Sequence, residues 1–398
     1  MWRGHVVGKL GRGTEATRRE LGRGARVGSG NWGVGAGGAG GVWQPVVVPD
    51  PVVNADFRTP VGWGSGHLQT VRSKVVRRRY ELHRYGSQRA TLVDLDDGTG
   101  DQLIVQLHRA RQVPDGDRRR GLVVLIHGLG GSAESDYVRA SALGLLAAGF
   151  NVARVDLRSA GQSGGTSAHM YHAGKTEDVR AVLRHLADVP EARDNETLAP
   201  TLAVMGFSLG GAAALKLLGE PLDGLPVFAG VAVSAPLDLT VGAGFLSNAT
   251  FGLYEKYILS ALRRDSLRSA LGGRPRVTEQ ERRGIERARS LPEFDDVLTA
   301  PRNGWRDSAE YYEVNSCNQF LGTITVPTLV IHSVDDPMIP ASPYEAIDWH
   351  ALAVSGPVRR AITARGGHVG FHELGNPLPW YVGQATQFLT AQVPTRQL

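Results

Sequence analysis

Ser208 is the residue of this chain best placed to do covalent chemistry, because it stands in Gly206-Phe207-Ser208-Leu209-Gly210, the G-x-S-x-G spacing of a nucleophile elbow. The small glycines let a strand and a helix approach closely at a strained turn that projects the serine hydroxyl outward. A serine hydroxyl is too weak an acid to attack unaided, so a histidine must take its proton and a carboxylate must orient that histidine. Of the 12 histidines, His368 lies in the glycine-flanked run Gly366-Gly367-His368-Val369-Gly370, which leaves its imidazole free to swing towards the serine. His332 reads as a strand or core residue, and His372 lies too far into the following segment. The carboxylate is one of the adjacent pair Asp335 and Asp336, in Ser333-Val334-Asp335-Asp336-Pro337. A developing alkoxide needs two preorganised donors, and the backbone N–H groups of Leu129 and Leu209 are the candidates, each worth about 3 kcal/mol. His127 reads as a structural brace of the Leu129 loop rather than a proton carrier.

These groups need elements to position them, and the apolar runs supply the elements. Residues 201–207 read as a short buried strand before the serine, and residues 209–220, rich in Ala and Leu, as the helix after it. Residues 121–126 form another apolar run leading into His127-Gly128-Leu129-Gly130-Gly131. Strands over 326–332 and 358–363 precede the acid loop and the His368 loop, so the order is Ser, Asp, His, each group at the carboxyl end of a strand. Apolar strands alternating with helical stretches predict a mostly parallel central sheet with helices on both faces, entered through a β-rich stretch over 91–108. Residues 241–319 break that rhythm, with helices expected over 248–270 and 279–290, and read as a helical cap over the serine. Some of its aromatics, Phe245, Phe251, Tyr254, Tyr257, Phe294, Trp305, Tyr311 and Tyr312, are expected to line an apolar pocket.

Several runs together give a family resemblance: Gly66-His67-Leu68-Gln69-Thr70, the HGLGGS run from His127, Tyr171-His172-Ala173-Gly174, GFSLGG from Gly206, Glu293-Phe294-Asp295-Asp296, and Gly366-Gly367-His368-Val369-Gly370-Phe371. Over residues 57 to 385 the chain resembles the YheT/EMB8-like branch of the α/β hydrolases, the abhydrolase-domain esterases. The resemblance implies the α/β-hydrolase fold with a helical cap, and a Ser-His-Asp triad of Ser208, His368 and Asp336. Asp336 also lies four residues before Pro340, the spacing usual in related hydrolases; Asp335 remains the other candidate. His67 could reach the substrate as part of an arm folded back over the core. Two departures bear on the pocket: Asp156-Leu157-Arg158-Ser159-Ala160 replaces the usual Asn-x-Arg-Gly-Cys, and Ala212 stands where an Asn often follows the elbow.

The expected organisation is a disordered tail (1–50), the arm and first part of the core (51–240), the cap (241–319) and the rest of the core (320–398). The first 45 residues hold 14 of the 51 glycines, seven Lys or Arg and two acids, a composition too polar and glycine-rich to build a core. The remainder carries 37 basic and 37 acidic residues, so the net charge of +5 belongs to the tail and the body gives no reason to expect nucleic-acid binding. The tail contains Gly33-Val34-Gly35-Ala36-Gly37-Gly38, but no strand precedes this dinucleotide-like pattern; Gly174-Lys175-Thr176 likewise lacks the first glycine of a phosphate loop. His169 and His172 are three residues apart without further evident ligands, so no metal is expected, and His172 reads as a pocket-rim residue. A single cysteine, Cys317, excludes an internal disulfide, and no apolar run has the length of a membrane span. The expectation is a cytoplasmic serine esterase without cofactor, acting on a small ester with an apolar or lipid-like acyl group. Acyl transfer to an alcohol on the same residues, and a noncatalytic binding protein with a basic tail, are the alternatives.

Overall fold

The computed structural model describes residues 57–111, 120–193, 200–268 and 276–394. The expected tail over 1–50 lies outside the described residues. Eight strands form one sheet in the order β1-β2-β4-β3-β5-β6-β7-β8. They are β1 (Gly86–Asp94), β2 (Gln102–Ala110), β3 (Leu122–Ile126), β4 (Asn151–Asp156), β5 (Leu202–Phe207), β6 (Val227–Val233), β7 (Thr328–Ser333) and β8 (Val358–Thr363). β2 runs antiparallel to both β1 and β4, and the other neighbours pair in parallel.

Every residue of β3, β4 and β5 is buried, because helices cover both faces, and this is why β3 and β5 are continuous apolar runs rather than alternating ones, while β4 buries Asn151, Arg154 and Asp156 as well. Alternate β3 residues feed two separate cores. Leu122, Val124 and Ile126 pack with Val182 and Leu183 of one helix (Thr176–Ala187) and Leu215 of another (Leu209–Gly219). Val123 and Leu125 pack on the opposite face with Val138 and Leu145 of the helix Asp136–Ala147 and with Tyr381 and Leu389 of the C-terminal helix Trp380–Gln392. The edge strand β1 is largely exposed.

Between β6 and β7 the described residues carry a series of helices, the first beginning at Leu239 and the last ending at Thr323, against the expected 241–319. The helix expected over 248–270 is not continuous. A helix Leu239–Asn248 is followed by a short turn, Ala249–Gly252, where Phe251 and Gly252 take φ of 53° and 68°, and helix Leu253–Leu267 begins after it. The helix expected over 279–290 stops at Arg287, and Ser290 accepts a hydrogen bond from the N–H of Glu293 to cap the next turn. The cap has its own apolar core of Leu246, Ile258, Leu262, Ile285, Phe294 and neighbours, against which Leu129 and Met338 of the main body pack. Among the described residues no helix is long and apolar enough to cross a membrane.

Candidate active site

Four loops meet at the carboxyl ends of neighbouring strands: the Leu129 loop after β3, the serine turn after β5, the acid loop after β7 and the His368 loop after β8. At the serine turn Ser208 adopts φ 51° and ψ −123°, a strained conformation for a non-glycine residue, and its N–H is tied to Val233 O at 2.8 Å. The flanking glycines are sterically required. A Cβ on Gly206 would lie 2.1 Å from Gly210 O, and one on Gly210 would lie 2.3 Å from His127 O.

His368 Nε2 lies 3.0 Å from Ser208 Oγ, and its Nδ1 lies 2.9 Å from Asp336 Oδ2. An ionised carboxylate only accepts, so Nδ1 carries the proton and Nε2 is left to accept the Ser208 hydroxyl hydrogen. Asp336 is buried, and its other oxygen accepts the N–H groups of Met338 (2.8 Å) and Ile339 (3.0 Å). Burial alone would raise its pKa, but the adjacent His368, by charge and hydrogen bond, and these backbone donors hold it below the ordinary carboxylate value.

Asp335 points elsewhere. Its Oδ1 accepts from the N–H groups of Gly366 (2.8 Å) and Gly367 (2.9 Å), which fixes the His368 loop. The run Gly66–Thr70 fixes the same loop from the other side. It opens a helix, Gly66–Val75, in which Thr70 Oγ1 accepts the His368 N–H at 2.8 Å and Gln69 Oε1 accepts the His372 N–H at 2.6 Å. The approach is so close that a Cβ on Gly66 would overlap Asp335 O. His67 itself is exposed and does not line the cavity at Ser208; its Nδ1 lies 3.1 Å from Tyr254 Oη and the two rings stack, tying this helix to the cap.

The Leu129 loop is braced on each side. Gly128 N–H donates to Tyr137 Oη (3.0 Å) and Gly130 N–H to Tyr171 Oη (2.6 Å). His127 is fully buried; its Nε2 accepts from the Leu157 N–H at 3.2 Å, so Nδ1 donates to Gly128 O at 2.8 Å, and burial lowers its pKa to keep it neutral. Among the described residues neither the Leu129 nor the Leu209 N–H has an acceptor, and both residues line a cavity with Ser208.

That cavity has about 820 Å³ of empty space counted to its open mouth. Its wall is mainly apolar, with Leu246, Ile258, Leu262 and Phe294 from the cap facing Met338 and Ile339 of the acid loop. Of the eight cap aromatics, some of which were expected there, Phe294, Tyr311 and Tyr312 line it; Trp305 stacks behind Tyr311, while Phe251 and Tyr257 face solvent. His172 also lines it, with Nε2 3.2 Å from Asn303 Oδ1 and Nδ1 accepting the Gly174 N–H, and burial pushes its pKa down to about 3. His332 is buried in β7, stacked on Tyr344 at 3.8 Å.

Sequence reasoning quoted Gln69, Thr70, Tyr171 and Asp335 without finding their positioning roles, and it missed Tyr137 altogether. The signal available was the spacing of the GHLQT run, but its partner loop lies some 300 residues away. The departure at Asp156-Leu157-Arg158 is filled by a buried ion cluster, in which Arg158 meets Asp178 (2.7 Å), Asp101 (2.9 Å) and Asp97.

Residues 123–381 match the Alpha/beta hydrolase family. YheT of Escherichia coli K12, named as a candidate esterase, is 29% identical over 345 residues, covering 86% of this chain and 95% of YheT. A monoacylglycerol lipase of Saccharomyces cerevisiae is 27% identical over 69% of this chain and 60% of its own length. The esterase Pf2001 of Pyrococcus furiosus has a similar fold, with TM-score 0.51 at 17% identity, over 79% of this chain and 93% of that one.

Proposed function

The chain belongs to the alpha/beta hydrolase family, and on that premise we propose that it is a serine esterase that cleaves carboxylic esters with apolar or lipid-like acyl groups through an acyl-enzyme. The observation that carries this reading is the unbroken chain of hydrogen bonds from Ser208 Oγ through His368 to Asp336. In the first half-reaction Ser208 Oγ attacks the ester carbonyl carbon as His368 Nε2 takes its proton, and Asp336 stabilises the resulting imidazolium. The carbonyl oxygen becomes an oxyanion held by the N–H groups of Leu129 and Leu209, which no protein acceptor competes for among the described residues. Collapse expels the alcohol, which leaves with the proton from Nε2. Water then repeats the sequence on the acyl-enzyme and restores the serine. The apolar wall supports an apolar acyl arm, because burying such a chain contributes about 25 cal/mol per Å².

The test is covalent labelling by a fluorophosphonate at neutral pH. The native protein should label stoichiometrically and Ser208→Ala should not. A well-folded native protein that stays unlabelled would refute the mechanism.

A further inference from the structure

One polar group on the cavity wall has no part in the bond-breaking chemistry. Asp295 lines the same cavity as Ser208, in a wall built mainly of apolar and aromatic side chains with His172 and Thr299 among them. It opens a π-helical turn, Asp295–Thr299, a rare geometry that is frequent at functional sites. Consecutive residues there have different surroundings: Phe294 packs in the cap core and reaches the cavity, Asp295 reaches the cavity, and Asp296 turns away to accept the Ser308 N–H at 2.6 Å.

The Asp295 carboxylate accepts the Tyr312 hydroxyl at 2.7 Å and a hydrogen bond from Thr299. A carboxylate offers about four lone-pair positions, so two are left over. Among the described residues no cation pairs with it. Burial pushes its pKa up to about 6, against the pull of both hydroxyls. A carboxylate part-stripped of water beside an apolar cavity binds a donor more strongly than water-exposed groups do.

We infer that Asp295, oriented by Tyr312, is a specificity residue that accepts a hydrogen bond from a hydroxyl group of the substrate, so that the enzyme selects esters carrying a hydroxyl remote from the scissile bond. This inference rests on the serine-esterase reading above. The hydroxyl could sit on the acyl arm or on the alcohol arm, and the shared chemistry is an O–H group seated against Asp295.

The test compares kcat/KM of the full chain on propyl hexanoate, 3-hydroxypropyl hexanoate and propyl 6-hydroxyhexanoate. One of the two hydroxylated esters should be preferred over propyl hexanoate by about tenfold or more, and which one identifies the arm that reaches Asp295. In Asp295→Leu the preference should vanish. Asp295→Asn, close in volume, guards against a folding defect and should reduce the preference at least severalfold. A wild-type enzyme indifferent to both hydroxyls, or a preference that survives both substitutions, would overturn the inference. Fluorophosphonate labelling reports separately on the nucleophile: an unlabelled protein that turns over none of the three esters would refute the esterase reading and this inference with it.

Discussion

The N–H groups of residues 366 to 369 are each held by a side chain, Asp335 taking two, Thr70 one and Ser234 one, whereas the cap wall across the cavity is held by apolar contact among Leu246, Ile258, Leu262 and Phe294. Directional bonds fix one geometry, and displacing any of their partners strands a buried polar group at about 1–3 kcal/mol. Apolar packing is non-directional and tolerates volume-conserving exchange. A reacting centre requires the first kind of support, because an error of about 1 Å there forfeits a large part of the rate. A pocket that recognises chain length and shape requires only the second.

Three substitutions would break or sharpen this contrast. Asp336→Ala removes the partner of His368 Nδ1 and should lower kcat by about 10⁴-fold in steady-state ester hydrolysis, with little change in KM. On the cap side, Leu262→Ala should act mainly through KM, raising it about tenfold for a decanoyl ester and much less for an acetyl ester. A loss confined to kcat on both esters would show that the cap takes part in chemistry. The smallest effect is expected from Thr70→Val, which strands the His368 N–H and should reduce kcat up to about tenfold without altering the relative KM values of the two esters. Wild-type kinetics in Thr70→Val would mean that Asp335 and Ser234 suffice to hold the loop.

The same contrast governs what could be read from the sequence. Ser208 and His368 were legible because their turns demand glycines at fixed offsets, and a backbone demand leaves a local mark. Asp335 and Asp336 could not be told apart by composition, since both are adjacent carboxylates in one loop. The fold uses both, one on the imidazole and one on the backbone that carries it. The buried strands β3 and β5 were plain in their apolar runs. The break at Phe251 and Gly252 was not, because its other residues are compatible with a helix and a single glycine is a weak stop signal. Of the cap aromatics, Phe251 turned out 94% exposed while Phe294 is buried, a difference set by place, Phe251 in the turn between two helices and Phe294 in the cap core, and not by residue type.

The support of His368 comes from both ends of the chain: Gln69 and Thr70 near the start of the described region grip a loop that follows the last strand. During synthesis, Ser208 and its strained turn emerge long before His368, the base of the proposed mechanism. On that mechanism the serine hydroxyl remains an ordinary alcohol until residue 368 has left the ribosome and docked against that early helix. In the proposed mechanism, reactivity would therefore switch on only when these two distant segments have met.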